Sequence, residues 1–202
     1  PDPVFPFDVR RRLAPLTGSF ARDTRDDTLD ATRGRFMSHT VEWTPAVLGS
    51  ELRYVKYFGQ YFQYVPFGQA SRIPWAGETR KRTVYALGGR MGMAHGFGGQ
   101  TIVPSERFFS GGGTSVRGFA ENTLGPLDFG GQPSGGNAVL ILNNEFRFPV
   151  YGFLDGIGFF DAGNVYRRIE DITLSGLRTS TGAGLRIRTP YALIRLDYGV
   201  NL

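Results

Sequence analysis

The sequence contains no cysteine and no long apolar run. Without cysteine, its 202 residues can form no disulfide, no thiolate nucleophile and no zinc–thiolate site. No stretch of 18 consecutive apolar residues occurs, so the sequence predicts no transmembrane helix. The N-terminal segment PDPVFPFDVRRRLAP has no apolar signal core, and we expect either that a signal has been removed or that the chain is an internal fragment.

Sequence patterns of catalytic sites are also missing. Ser115 lies in GTSVRG, which is not the Gly-x-Ser-x-Gly pattern of a nucleophile elbow. His39 and His95 have no acidic residues at metal-ligand spacing. The acidic pairs Asp26–Asp27 and Glu170–Asp171 fall in predicted turns, where solvated carboxylates are expected. We therefore expect no enzyme activity, no cofactor and no metal site.

The chain carries a positive charge that does not form a patch. It has 23 lysines and arginines against 18 acidic residues, a formal net charge of +5. The basic residues are dispersed except for two clusters, Arg10–Arg12 and Arg80–Arg82. We interpret both clusters first as solvated turns or charges flanking a membrane, and only second as a phosphate-binding patch. We expect no nucleic-acid partner.

Glycine and aromatic residues are abundant: the chain has 29 glycines, 17 phenylalanines and 9 tyrosines. This composition is typical of strands and turns. Apolar and polar residues alternate along residues 177–189 and 191–202, which indicates strands long enough to cross a bilayer. In the second segment we expect the even-numbered residues from Ala192 to Val200 to face lipid, and Arg195 and Asp197 to face the inside.

The same reasoning predicts eight strands in the chain. They span residues 16–25, 35–44, 51–66, 82–95, 137–149, 154–166, 177–189 and 191–202. Tight turns (DDTLDATRG and RTP) are expected at one end of the strands, and long connections (RRIEDITLSG and residues 96–136) at the other. The third strand has aromatic residues on both faces, so the sequence does not assign its faces.

Short turns at one end and long loops at the other are typical of an outer-membrane barrel. A soluble β-sandwich would also give alternating strands, but its polar face would be the outside. Here a face of glycine and arginine opposes an apolar face that carries tyrosine and phenylalanine. We therefore predict an all-β fold, an antiparallel transmembrane β-barrel with lipid outside.

The connection 96–136 is too long for an unstructured loop in a compact domain. It contains FFSGGGTSVRGF, residues 108–119, and is followed by GGNAVLILNNEFRFP and GFFDAGNVY. Together with NTLGP and the upstream RDTRDDTLDATRG, these blocks resemble the barrel of the BamA/TamA superfamily in order and spacing. Members of that family are bacterial outer-membrane proteins that insert or translocate other proteins, with relatives in mitochondria and chloroplasts. The resemblance covers the chain from about residue 16.

The resemblance implies that the long loop folds back into the lumen and that the arginine at its tip pairs with acidic groups on the inner wall. The tip is formed by Val116, Arg117, Gly118 and Phe119. The wall partners of Arg117 would be Asp161 and Glu145. The glycines Gly111, Gly112 and Gly113 would let the loop fold back tightly.

The residues themselves are consistent with this pairing. An arginine removed from water needs anionic partners, and its planar fork suits a carboxylate. Asp161 lies in the apolar run GIGFFDAG, where a lipid-facing carboxylate would be unfavourable. Glu145 shares its strand face with Asn143 and Arg147, so it should also point into the lumen. From the residues alone, a solvated loop arginine and an aspartate in a turn remain equally compatible with the sequence.

The barrel of the family has sixteen strands and follows periplasmic POTRA domains. Residues 1–202 would then be the C-terminal part of such a barrel, with residues 1–15 as an incoming loop or linker and the final strand missing. An eight-stranded barrel has an interior just wide enough for side chains, so it could not also hold the loop. Either further strands lie outside this sequence, or a second chain completes the barrel, or the loop lies outside it.

The resemblance implies a function in the bacterial outer membrane: inserting or assembling β-barrel proteins. The expected partners are outer-membrane lipid, unfolded client barrel proteins, POTRA domains and accessory subunits. Two alternatives stay open at this point. One is a two-partner-secretion transporter that exports a dedicated substrate, and the other is a barrel that anchors a passenger domain in the membrane.

Overall fold

The computed structural model describes residues 12–71, 81–189 and 191–202. Within them, eight antiparallel strands form one sheet in chain order. The strands are β1 (Leu16–Asp23), β2 (Gly34–Trp43), β3 (Tyr54–Ser71), β4 (Lys81–Gly96), β5 (Ala138–Tyr151), β6 (Leu154–Tyr166), β7 (Arg178–Arg188) and β8 (Leu193–Asn201). The helical segments of these residues are 3₁₀ turns of three residues each. No helix in the described part of the chain is long and apolar enough to cross a membrane.

The strand prediction is confirmed, with one boundary that is clearly wrong. β3 was expected to end at residue 66, but it continues to Ser71. Pro66 stays in register opposite Val84, and the register shifts only between Phe67 and Ser71. A proline near a strand irregularity removes one ladder hydrogen bond without ending the strand. The basic cluster Arg10–Arg12 and the residue Arg80 lie at or beyond the limits of the described residues.

The connections lie alternately at two opposite ends of the sheet, as predicted, although the β1–β2 connection is as long as the connection between β2 and β3. The segments 24–33, 152–153 and 189–192 join strands at one end of the sheet, which we call the turn end. The segments 44–53, 97–137 and 167–177 join strands at the opposite end, which we call the loop end. The longest connection, 97–137, is therefore at the end opposite the β1–β2 turn.

The two faces of the sheet differ in chemistry. The inner face buries charged and polar side chains, including Glu145, Asp161 and Arg186. The outer face exposes large apolar side chains: Phe146, Phe148, Phe160, Leu185, Ile194, Leu196, Tyr198 and Val200. A polar interior with an apolar exterior is the pattern of a barrel that faces lipid. The alternative prediction of a soluble β-sandwich is wrong, because the described strands form a single sheet.

The sheet is not closed. Among the described residues, β1 and β8 each pair on one side only, so the eight strands are part of a barrel wall. The inner face is covered by the connection 97–137, whose apolar residues join the core formed by the strands. This core contains Ile102, Phe108, Val116 and Leu124 from the connection together with Tyr54, Ala94, Val139, Ile141 and Val165 from the strands. An open wall resolves the conflict between eight strands and a large loop, since the loop occupies space that a closed eight-stranded barrel would lack.

Candidate functional site

The connection 97–137 is folded on itself before it meets the wall. Backbone bridges join Phe108 to Gly136, and Ser110 to Leu124. These bridges hold the segment between Ser110 and Leu124 as a compact tip. A loop shaped by its own hydrogen bonds can present one side chain in a defined position, as a functional site requires.

The three loop glycines do not have equal roles. Gly111 and Gly112 have φ angles of +111° and +94°, which L side chains rarely adopt. A Cβ atom at Gly111 would also overlap the carbonyl oxygen of Ala120. Gly113 has no such φ angle, and a Cβ atom there would meet nothing within 4 Å. The backbone therefore needs glycine at the first two positions and tolerates a side chain at the third.

Arg117 forms a two-pronged ion pair with Asp161. Its Nε donates to Asp161 Oδ2 at 2.7 Å, and its Nη2 donates to Oδ1 at 3.0 Å. The backbone N–H of Arg117 also donates to Oδ2 of Asp161, at 3.2 Å. The side chains are 7% and 0% exposed, respectively, so the pair is withdrawn from water. This geometry uses the planar fork of arginine, which lysine does not have.

Two further carboxylates complete the surroundings of the guanidinium group. Its Nη1 donates to Glu145 Oε2 at 2.9 Å and to Asp197 Oδ2 at 3.2 Å. The ring of Phe159 lies below the group, with the Arg117 Cζ atom 3.6 Å from the ring centroid. Arg117 is thus held by β5, β6 and β8 at once. We call Arg117, Glu145, Asp161 and Asp197 the Arg117 site.

Asp197 and Phe159 were not among the predicted partners of Arg117. The alternation along β8 placed Asp197 on the inside, so the sequence contained a signal for its orientation. The sequence did not indicate that β8 lies close enough to the loop tip for Asp197 to reach Arg117. For Asn143 too, the sequence predicted the inner face but not the contact with the loop tip. Its side-chain amide donates to Ser115 O at 2.7 Å and to Asp161 Oδ1 at 2.9 Å.

The residues beside Arg117 fit against the wall because glycines of the wall leave space for them. Val116 is fully buried, and a Cβ atom at Gly163 would lie 2.7 Å from its Cγ2. A Cβ atom at Gly199 of β8 would lie 3.0 Å from the backbone nitrogen of Gly118. Phe119 is partly buried and packs against the core. Glycines on β6 and β8 therefore leave the space into which the tip fits.

The remaining residues that the sequence singled out lie outside this site. Ser115 accepts a hydrogen bond from the Gly111 N–H at 2.8 Å, so its hydroxyl shapes the tip. His39 is hydrogen-bonded to Tyr57, and His95 lies against Phe97. Within the described residues, no group of three His, Asp or Glu side chains is placed to hold a metal ion.

Asp26 is more than a solvated turn residue. It accepts hydrogen bonds from the backbone N–H groups of Thr32 and Arg33 and from the Thr32 hydroxyl. Partial burial tends to raise the pKa of Asp26, but these hydrogen bonds outweigh it and lower the pKa from 3.8 to about 2. Asp27 accepts from the N–H groups of Leu29 and Asp30. Both acids thus hold the β1–β2 turn in one shape.

Comparison with known proteins places the wall and its loop in a family. The model of the Omp85 superfamily domain matches residues 10–202. The chain is 26% identical over 199 residues to a SAM50-like protein of Schizosaccharomyces pombe, covering 91% of this chain and 39% of that protein. It is 31% identical over 160 residues to the outer membrane protein assembly factor BamA of Neisseria meningitidis serogroup B, covering 74% of this chain and 18% of that protein.

A solved structure has the same fold. BamA from Haemophilus ducreyi lacking POTRA domains 1–3 superimposes with a TM-score of 0.76 at 20% identity, covering 93% of this chain and 38% of that chain. The chain therefore spans less than half the length of these relatives. The antiparallel wall, the folded-in loop and the match over residues 10–202 lead to one conclusion: this chain belongs to the Omp85 superfamily of outer-membrane β-barrel proteins.

Proposed function

We propose that this chain is the C-terminal part of the barrel of an outer-membrane assembly factor that inserts client β-barrel proteins into the membrane. Two relatives of the chain support the proposal, because their names describe an outer membrane protein assembly factor and a SAM50-like protein. The observation that carries it is the Arg117 site, where one loop side chain is bound by three carboxylates on three strands.

The proposed mechanism has no chemical step. The seated loop holds the wall in one curvature, and the barrel acts as a template for an incoming strand while it destabilises the adjacent lipid. The proposed partners are outer-membrane lipid and unfolded client barrel proteins, with POTRA domains and accessory subunits contributed outside the chain. The proposed location is the bacterial outer membrane, with the outer membranes of mitochondria and chloroplasts as the alternatives for a relative of SAM50-like proteins.

The test is client insertion by the full-length protein in lipid vesicles. Arg117→Ala should slow the insertion of a client barrel, because the tip loses its seat on β5, β6 and β8. Arg178→Ala is the matched control, since Arg178 is an exposed arginine at the start of β7. Normal insertion together with a normal loop position in Arg117→Ala would contradict the proposal. Release of a soluble substrate from the vesicles, without client insertion, would identify a transporter instead.

A further inference from the structure

The β1–β2 turn, residues 24–33, reaches the inner face from the turn end. The side chain of Asp30 is only 10% exposed, and Ala31 is 3% exposed. Arg147 of β5 donates to the Ala31 carbonyl oxygen at 3.0 Å, although 116 residues separate the two. A solvated turn would not bury these groups, so the turn is docked on the inner face of the wall.

Three arginines hold Asp30 in this position. Arg147 lies 3.5 Å and Arg186 lies 3.8 Å from its Oδ1 atom. Arg188, at the rim of the turn end, pairs with its Oδ2 atom. The side chains of Arg147 and Arg186 are 13% and 4% exposed, so these positive charges need nearby carboxylates.

Glu145 connects Asp30 to the Arg117 site. Its Oε2 atom accepts from Arg117 at 2.9 Å. Its Oε1 atom accepts from Arg147 at 2.6 Å and from Arg186. Arg147 and Arg186 are therefore shared between Glu145 and Asp30, and Glu145 is shared between these two arginines and Arg117. The loop and the turn enter from opposite ends and meet through one carboxylate.

Charge balance explains why the sharing matters. Among the described residues, the ion pairs of this network join five arginines and five carboxylates. They are Arg117, Arg147, Arg186, Arg188 and Arg195 with Asp30, Glu145, Asp155, Asp161 and Asp197. If Asp30 lost its charge, Arg147 and Arg186 would keep Glu145 as the carboxylate that pairs with both. Their pull on Glu145 would then compete with that of Arg117.

We propose that Asp30 is a positioning residue for the loop tip. By neutralising part of the charge of Arg147 and Arg186, it weakens their pull on Glu145, whose Oε2 atom then accepts from Arg117. The seating of the loop tip, which enters from the loop end, is thereby coupled to the docking of the turn, which enters from the turn end. This inference rests on the geometry of the Arg117 site and is independent of whether the protein inserts clients or exports a substrate.

The test compares Asp30→Asn with Asp27→Asn in the full-length protein without any client. Hydrogen exchange is measured at residues 110–118, where the Arg117 amide donates to Asp161. Asp30→Asn should accelerate exchange of these amides by at least about fivefold, the lower end of typical coupling between sites. Asp27→Asn should not, because Asp27 accepts hydrogen bonds from the Leu29 and Asp30 amides of the turn and asparagine keeps an acceptor. Asp30→Glu, which keeps the charge, should restore slow exchange.

The coupling can also be tested from the loop to the turn, with a variant of Arg117 instead of Asp30. This test remains valid even if the Asp30 variants do not fold. Leu29 and Tyr191 are exposed at the turn end and can carry spin labels. Arg117→Lys should broaden the distance distribution between these labels, because lysine cannot bind Asp161 and Glu145 with the same fork. Exchange changes confined to residues 24–34 in Asp30→Asn, or an unchanged width of the distance distribution in Arg117→Lys, would overturn the coupling.

Discussion

The binding of Arg117 to the wall depends on the planar shape of its guanidinium group as well as on its charge. Five nitrogen-bound hydrogens in one plane let it bind Asp161 with two prongs and still reach Glu145 and Asp197. Truncating one member of a buried pair leaves the other charge without compensation, at about 3–5 kcal/mol. The free energy of unfolding of the barrel in lipid should therefore fall by about this amount in Arg117→Ala and in Asp161→Ala.

The double variant separates a shared contact from two independent losses. If both substitutions remove the same pair, Arg117→Ala/Asp161→Ala should be little worse than either single variant. The control Arg178→Ala should stay within about 0.5 kcal/mol of the unsubstituted protein. Strictly additive losses would show that the two side chains do not stabilise each other.

The loop glycines provide a second comparison of single residues. Gly111→Ala should destabilise the loop by about 1–3 kcal/mol, since alanine would be held in an unfavourable backbone region against Ala120. Gly113→Ala should be nearly neutral, because its backbone and surroundings accept a Cβ atom. Limited proteolysis of the loop checks both variants. Equal sensitivity of the two would contradict the assigned difference.

The carboxyl group of Asp26 makes the β1–β2 turn sensitive to acid. Its pKa is lowered to about 2, so the stabilisation that it gives is complete above its ordinary value of 3.8 and is lost as the pH falls through about 2. The NMR signals of the Thr32 and Arg33 amides, which Asp26 binds, should shift over this pH range. The same shift in Asp26→Asn, which has no carboxyl group to titrate, would exclude Asp26 as its cause.

At the scale of the strands, sequence alternation was enough to assign β7 and β8 but not β3. Phe62 and Tyr64 of β3 point to the inner face, where they lie near Arg90 and Arg147 at 5.1 Å from ring centroid to cation. Tyr57 and Tyr61 line the outer side with Met91. On the inner face Phe62 and Tyr64 stack on arginines and Phe58 stacks on Phe108. Both faces of β3 are therefore aromatic, and hydropathy does not alternate along this strand.

The outer face of β8 gives a prediction for a whole strand. Leu196 is 59% exposed on the apolar side, whereas the side chain of Asp197 is 14% exposed and bonded to Arg117. Leu196→Arg should cost about 2–4 kcal/mol if the position lies near the membrane midplane. Spin labels at 194 and 196 should be accessible to lipid, and labels at 195 and 197 to water. The reverse accessibility would show that the faces are assigned the wrong way round.

At the scale of the whole molecule, the long-range contacts were beyond sequence reasoning. The sequence predicts that Asp30 lies in a turn, and no local pattern indicates that its side chain contacts Arg147 and Arg186. That contact follows from the curvature of the sheet, which brings β1–β2 opposite β5 and β7. Asp161 and Glu145 were predicted from the family resemblance, because in that family the loop is known to fold into the barrel and to contact its inner wall.

The open sheet predicts how this 202-residue chain behaves by itself. Among the described residues, β1 and β8 each present an edge with unpaired backbone groups, and such edges associate with other strands. In detergent the isolated chain should form dimers or larger species, measurable by light scattering during gel filtration. If further strands closed the sheet, both edges would be paired and the protein should be a monomer. A monodisperse monomer of the isolated chain would contradict this expectation.

The position of the folded-in loop has a mechanical consequence. Its residues bond or stack onto β3 through Phe108, β4 through the Thr114 carbonyl oxygen, and β5, β6 and β8 through Arg117. A curved sheet changes its curvature by small rotations between neighbouring strands, and here each rotation would stretch a cross-link. Lateral pressure in the bilayer should therefore tilt this part of the wall as one stiff panel. Any change in the cross-section of the barrel would then come from the strands that the loop does not brace.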